Sequence, residues 1–359
     1  MAQSTRQSSV LRGSVSWPGN RPIVASRVAL ATIAIGFVVG QEAGVRLGLT
    51  TQAAIYLFGM VALNLPHGGY EHFNNIRQRG LTFQWRYVVE YLALVAGFIT
   101  LFALAPVAGL ALAILVAVLK GGYGGLHVMD AETGSGHLRT PIQRHLAALV
   151  RGGVVMAVPI VAWPGTFETF SAYMVNIFQP GGLEPFAQYF AITRPLIGVG
   201  FAALAVAHVG LGYLRRDGTR SWLVDAAETA LLIAFFAVVP VVVAVGLYFP
   251  LWYSMRQVGR HVSIEDDVPE QGGGVLTPFL ESDDPRVIAL TAWGVLIAGS
   301  IATAAVVGTI LFVASEPLGG APLLPGLVAF WSISISIIAL PHVVVGSFMD
   351  RERGIWYVP

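Results

Sequence analysis

Two imidazoles and a carboxylate sit together in Leu65-Pro66-His67-Gly68-Gly69-Tyr70-Glu71-His72, at the end of an apolar run. Ionisable groups are costly at membrane depth, so such a cluster either works there or lies just outside the hydrocarbon among the headgroups. Other polar residues fall at the ends of apolar runs in the same way. They are His127 in Gly125-Leu126-His127-Val128-Met129-Asp130, Tyr253 and Gln257 in Leu251-Trp252-Tyr253-Ser254-Met255-Arg256-Gln257, and His342 in Leu340-Pro341-His342-Val343. Taken singly, a histidine in such a place is more often an interface residue than a ligand. Recurrence at four separated run ends favours a shared interior site, because distant helices of a bundle can converge their polar side chains. The chain has no cysteine, which excludes disulfides, thiolate ligands and cysteine nucleophiles, and any metal must use nitrogen or oxygen donors.

Placing those residues requires membrane helices. Hydrophobic residues make up 55% of the chain and charged residues 11%, and the mean hydropathy is +0.70, far outside the soluble range. The expected fold is all-α, a polytopic transmembrane bundle of about 8–10 membrane-embedded helices in one domain. Apolar runs place spans near 28–46, 51–66, 86–104, 107–127, 145–163, 190–213, 222–252, 286–313 and 323–346. Residues 1–27 read as a polar tail before a retained first span, 28–350 as the integral domain and 351–359 as a second tail. An acidic, solvated loop is expected over about 257–285. Pro106, Pro159, Pro240 and Pro250 mark kinks or breaks. Gly121, Gly122, Gly124 and Gly125 allow either close helix approach or local unwinding.

Positive residues set the orientation, since cytoplasmic loops collect them. The amino terminus is expected inside, with Arg77, Arg79 and Arg86 on the second connection and Lys120, Arg139, Arg144 and Arg151 on the fourth. His67 and His127 then share the cytoplasmic side. For Tyr253 to join the same site, its segment must come from the same side or reach a deeply placed centre; an extra crossing or re-entrant piece in 164–185, making ten embedded segments instead of nine, is one solution. The formal charge of +1, with arginines scattered through connecting segments, gives no reason to expect a nucleic-acid partner.

The ordered set Pro66-His67-Gly68-Gly69-Tyr70-Glu71-His72, His127 with Asp130, Tyr248-Phe249-Pro250-Leu251-Trp252, and Leu340-Pro341-His342 with Asp350 resembles the Brp/Blh family of β-carotene 15,15′-dioxygenases. The likeness runs from about residue 50 to the end and is greatest to the haloarchaeal Brp branch, the bacteriorhodopsin-related proteins. It implies a multi-pass enzyme of the cell membrane that uses non-haem Fe(2+) and O2 to split the central double bond of β-carotene into two retinal molecules for rhodopsins. In the family pattern iron is held by four histidines. The first two positions match His67 and His127, which the resemblance makes the catalytic pair. The other two belong to a Trp-His-x-x-x-His-like segment, where this chain has Tyr253 and Gln257. Phenol and amide are poorer partners for ferrous iron than imidazole, and His72, His208, His261 and His342 are the alternative donors. Glu71 and Asp130 are the carboxylates that could orient ligand imidazoles.

Three functions are therefore weighed. The carotenoid oxygenase leads. A non-catalytic carotenoid- or retinal-binding membrane protein that assists retinal supply to an opsin is the alternative, with an opsin or a family paralogue as the candidate protein partner. A transporter would call for paired charges within spans or an internal repeat, and neither is apparent in the sequence. The aromatic residues Tyr123, Trp163, Phe170, Tyr173, Phe178, Trp252 and Phe348 are candidates for a polyene tunnel, though most such residues serve as interfacial anchors.

Overall fold

The computed structural model describes residues 21–64, 85–216, 218–257, 259 and 284–352, with 85–88, 132, 285, 288, 292, 295 and 339–352 described as backbone alone. Among the described residues every element is helical and none is a strand. In chain order they are α1 (Arg21–Glu42), α2 (Leu49–Leu57, running on as a π-helical turn over Phe58–Leu63), α3 (Trp85–Leu104), α4 (Pro106–Glu132), α5 (Pro141–Ala162), α6 (Pro164–Asn176), α7 (Glu184–Arg215), α8 (Arg220–Val238), α9 (Val241–Tyr248, running on as a π-helical turn over Phe249–Ser254), α10 (Pro285–Val313) and α11 (Leu323–Glu352). Among the described residues six helices are long and apolar enough to cross a membrane, and Leu49–Leu63, Val89–Leu104 and Leu323–Ile338 form shorter apolar helices. Only structures that satisfy their own backbone can span lipid, and the chain is an all-α polytopic bundle of that kind.

Eight of the nine expected spans each overlap one described helix, and the ninth, 222–252, is divided at a proline. Helix α1 covers Arg21–Glu42 and so includes residues 21–27 of the stretch read as a polar tail. The 222–252 run is two helices, since Val239 is extended (ψ 129°) and Pro240 starts a new helix. Pro106 likewise opens α4. Pro159 stays inside α5 near its end. The 164–185 stretch holds α6, which has 13 residues. At about 1.5 Å per residue it is too short for a crossing of roughly 30 Å. It packs inward through Phe170, Ser171 and Val175.

Glycine sets the closest contacts. A Cβ on Gly122 would lie 2.0 Å from the Ala148 carbonyl oxygen, and one on Gly152 would lie 1.8 Å from that of Val118. The α4 and α5 backbones therefore touch, and the Gly-rich segment of α4 serves close approach without unwinding. Gly59 and Gly246 do the same for α2 and α9, where a Cβ on Gly59 would meet the Gly246 oxygen at 2.1 Å. One apolar core joins α3, α4, α10 and α11 around Phe102, Ile310 and Ile333, and another joins α1, α5, α8 and α9 around Leu30, Phe235 and Phe236. Helices α7 and α10 turn residues such as Leu196, Val206, Leu290 and Phe312 outward, as expected of helices facing lipid.

Candidate active site

Two π-helical turns, Phe58–Leu63 and Phe249–Ser254, pack against each other at one end of the α2–α9 pair. Such turns recur at functional sites because the widened ring redirects side chains, and Pro250, which lacks an N–H, lies within the second. The Ser254 hydroxyl donates to Asn64 Oδ1 at 2.7 Å, which ties the turn carrying Tyr253 to the point where the chain enters the His67 motif. On α4, Lys120, Gly124 and His127 share a face by their i, i+4, i+7 spacing. A Cβ on Gly124 would lie 2.9 Å from Gln257 Nε2 and 3.2 Å from Tyr253 Oη. Glycine is thus what lets Tyr253 and Gln257 close onto α4, one turn from His127.

Of the sequence-derived site residues, the fold brings together Tyr253, Gln257 and the His127 face of α4. His67, Glu71, His72 and His261 lie outside the described residues, and His342 lies on α11 where backbone alone is described. The Asp130 carboxylate accepts from Arg144 Nη2 at 2.5 Å and from the Ser135 hydroxyl at 2.5 Å. Among the described residues no three His, Asp or Glu side chains are grouped to hold a metal. The donors that meet at Gly124 are a phenol and an amide beside one imidazole face. They suit iron by donor type, though less well than an all-imidazole set.

A cavity leads away from this point. It contains about 1920 Å³ of unfilled space, its open mouth included, and is lined from Leu110 to Gly121 along α4 and from Val328 to Ile338 along α11. At 1.5 Å per residue the lined part of α4 is about 16 Å long. Its walls are mostly aliphatic, with Phe167, Phe170 and Phe249 among them. Asn64, Lys120, Tyr253 and Ser254 contribute polar groups where α2, α4 and α9 meet. Of the aromatic candidates, Phe170 lines the cavity, Phe178 belongs to the core and Trp163 donates to the Phe236 carbonyl at 3.2 Å. The side chain of Phe348 falls outside those described.

Behind the site lies a buried charge network that the sequence reading missed. Arg151 donates through Nη2 to Asp225 Oδ1 (2.6 Å) and to Glu228 Oε2 (3.2 Å). Glu228 Oε1 accepts from Arg27 Nη2 and Arg256 Nη2, each at 2.6 Å. Asp225 Oδ2 lies 2.8 Å from His137 Nε2 and 3.0 Å from His208 Nε2. Arg151, Arg256, Asp225, Glu228, His137 and His208 are all buried. Paired charges within spans do exist, which corrects the expectation of none. The signal was available: Asp225 and Glu228 stand three apart in an apolar run, on one helical face. His208 is occupied by Asp225 instead of serving as a spare donor near Tyr253. Of the residues taken as loop charges that report orientation, Arg151 is buried in the network, and Lys120 is half-buried on the cavity wall.

Fold and site together define a polytopic helical membrane protein with an apolar cavity that ends at a polar helix junction. The family model for β-carotene 15,15′-dioxygenase matches residues 58–350. The chain is 54% identical over 342 residues to the "Probable beta-carotene 15,15'-dioxygenase Brp" of Halobacterium salinarum (strain R1), covering 95% of each chain. It is 31% identical to the "Probable beta-carotene 15,15'-dioxygenase Blh" of Halobacterium salinarum (strain NRC-1), covering 93% of this chain and 95% of that one. The chain belongs to the β-carotene 15,15′-dioxygenase family, within the Brp/Blh haloarchaeal branch. No solved structure matches it.

Proposed function

We propose that this protein cleaves the 15,15′ double bond of β-carotene with O2 to give two molecules of retinal, in the cell membrane, and that the product supplies an opsin. The observation that carries this reading is the apolar cavity ending at Tyr253 and Asn64, beside the helix face that bears His127. A C40 hydrocarbon dissolves in the bilayer, and a slot between helices can admit it laterally. The aliphatic and aromatic walls orient one arm of a rigid polyene and exclude water, so that its central bond rests against the polar junction.

Ferrous iron is the cofactor this reading requires, with His67 and His127 as its imidazole ligands and Tyr253 and Gln257 completing the set. When bound, the metal supplies the activation of dioxygen. The residues of the chain contribute placement: Gly124 lets Tyr253 and Gln257 approach α4, and the Ser254–Asn64 hydrogen bond holds the turn before His67 in register with them. Arg256, anchored on Glu228, fixes the helical turn between Tyr253 and Gln257.

Purified protein given β-carotene and ferrous iron is expected to release retinal, measured chromatographically, and His67→Ala or His127→Ala is expected to abolish it. Turnover by either alanine variant at the unmodified rate would remove the assigned ligands. A specific observation favours a second reading, a carotenoid-binding protein without metal: the phenol and amide at the two remaining ligand positions. An unmodified chain that binds β-carotene but neither retains iron nor cleaves, beside an active relative, would establish it.

A further inference from the structure

Two hydroxyls on the cavity wall meet no partner among the described residues, and both belong to α6. The other serine and tyrosine hydroxyls nearby are answered: Ser254 donates to Asn64, Tyr56 and Ser332 share a hydrogen bond of 2.7 Å, and Ser336 donates to the Ser332 carbonyl. Hydroxyls inside the helices turn back to the carbonyl four residues earlier, as those of Thr100, Thr291, Ser300 and Ser334 do. Ser171 and Thr166 make no such bond among the described residues, although both line the cavity and Ser171 is only 4% exposed. A hydroxyl left unanswered in an apolar enclosure is costly, so a site that keeps one is suited to a polar atom on its ligand.

Their place in the slot says which part of the ligand that is. Helix α9 and its π-helical turn line the cavity from Val241 to Ser254, with Tyr253 at the polar junction. Phe170 of α6 packs in one cluster with Val241, the first residue of α9, and with Val328, where the lined part of α11 begins. Helix α6 therefore closes the opposite end, and at 1.5 Å per residue the stretch from Val241 to Tyr253 is about 18 Å long. A polyene whose central bond rests at the junction sends one arm down the slot and sets its ring against α6. There Phe167, Phe170 and Met174 meet the ring's carbons, and Thr166 and Ser171 add the two hydroxyls. A plain hydrocarbon ring leaves those hydroxyls unanswered, whereas a ring that bears oxygen pairs with them.

We propose that α6 reads the carotenoid's ring, with Ser171 as the specificity-determining residue and Thr166 beside it, and that the ligands of this site include carotenoids whose ring carries a hydroxyl or keto oxygen, bound in preference to the plain ring. The inference rests on the reading of the cavity as the place of the polyene, and not on iron or on cleavage.

The test measures binding by the full chain in detergent without added iron, so that a failure to cleave does not bear on it. β-Carotene and its dihydroxy and diketo ring derivatives are titrated separately by quenching of tryptophan fluorescence. The quantity read is the affinity for each derivative divided by that for β-carotene. For at least one derivative this ratio should be about tenfold higher in the unmodified chain than in the double variant Ser171→Ala, Thr166→Val, the scale of one hydrogen bond. Comparing the two proteins in the same detergent cancels the partition of each carotenoid into micelles. Ser171→Ala alone should remove most of the preference. Equal ratios in both proteins, with all three carotenoids bound, would overturn the proposal and leave the polyene's place in the cavity standing. Absence of saturable binding of any of the three by the folded unmodified chain would overturn both.

Discussion

On the proposed reading Tyr253 and Gln257 set how tightly iron is held, and their chemistry can be tested separately from their position. The two residues are four apart and both lie against Gly124, so imidazoles placed there would face the same spot. Tyr253→His combined with Gln257→His is expected to lower the ferrous iron concentration needed for half-saturation by roughly tenfold or more, about 1.4 kcal/mol. Metal analysis after equilibrium dialysis reads this directly. Unchanged iron retention in the double variant would mean that these positions do not reach the metal.

At the scale of elements, two glycine contacts hold the helices that carry the site. Gly122 allows α4 to touch α5 at Ala148, and an added Cβ would lie 2.0 Å from a backbone oxygen, where no side chain can yield. Gly122→Leu is expected to destabilise the bundle by at least about 1–3 kcal/mol, the usual cost of overpacking. A fluorescence melt in detergent would show it as a fall in melting temperature. Gly200 on α7 has open space around it, so Gly200→Ala should stay within about 0.5 kcal/mol of the unmodified protein. Equal loss from both substitutions would mean that helix flexibility, and not the α4–α5 contact, is at stake.

At the scale of the whole molecule, catalysis and stability draw on different parts of one interior. The cavity lies among α2, α4, α5, α6, α9 and α11, while the charge network joins α1, α5, α7, α8 and α9 with the turn before α5. The two meet at α5 and α9. Filling the slot with Ala117→Phe is expected to cut β-carotene cleavage at least about tenfold, some 1.4 kcal/mol of barrier, with iron content and melting temperature unchanged. Full cleavage by a cavity-filled variant would place the polyene elsewhere.

The class of the protein was legible in the chain itself. Apolar runs of membrane length dictate helices, because nothing else closes its own hydrogen bonds in lipid, and the ordered His, Gly and Trp motifs pointed to the family. Pro240 and Pro250 were read as kinks or breaks; Pro240 does open α9, whereas Pro250 lies within the π-helical turn that continues it. The partners were not legible. Arg27, Arg151 and Arg256 look like ordinary flanking charges in one dimension, yet they converge with Asp225 and Glu228 from separate helices. Only tertiary packing decides which arginine faces a carboxylate, because a helix face is set by rotation against its neighbours. The same holds for Gly124, whose role exists only because α9 lies across it.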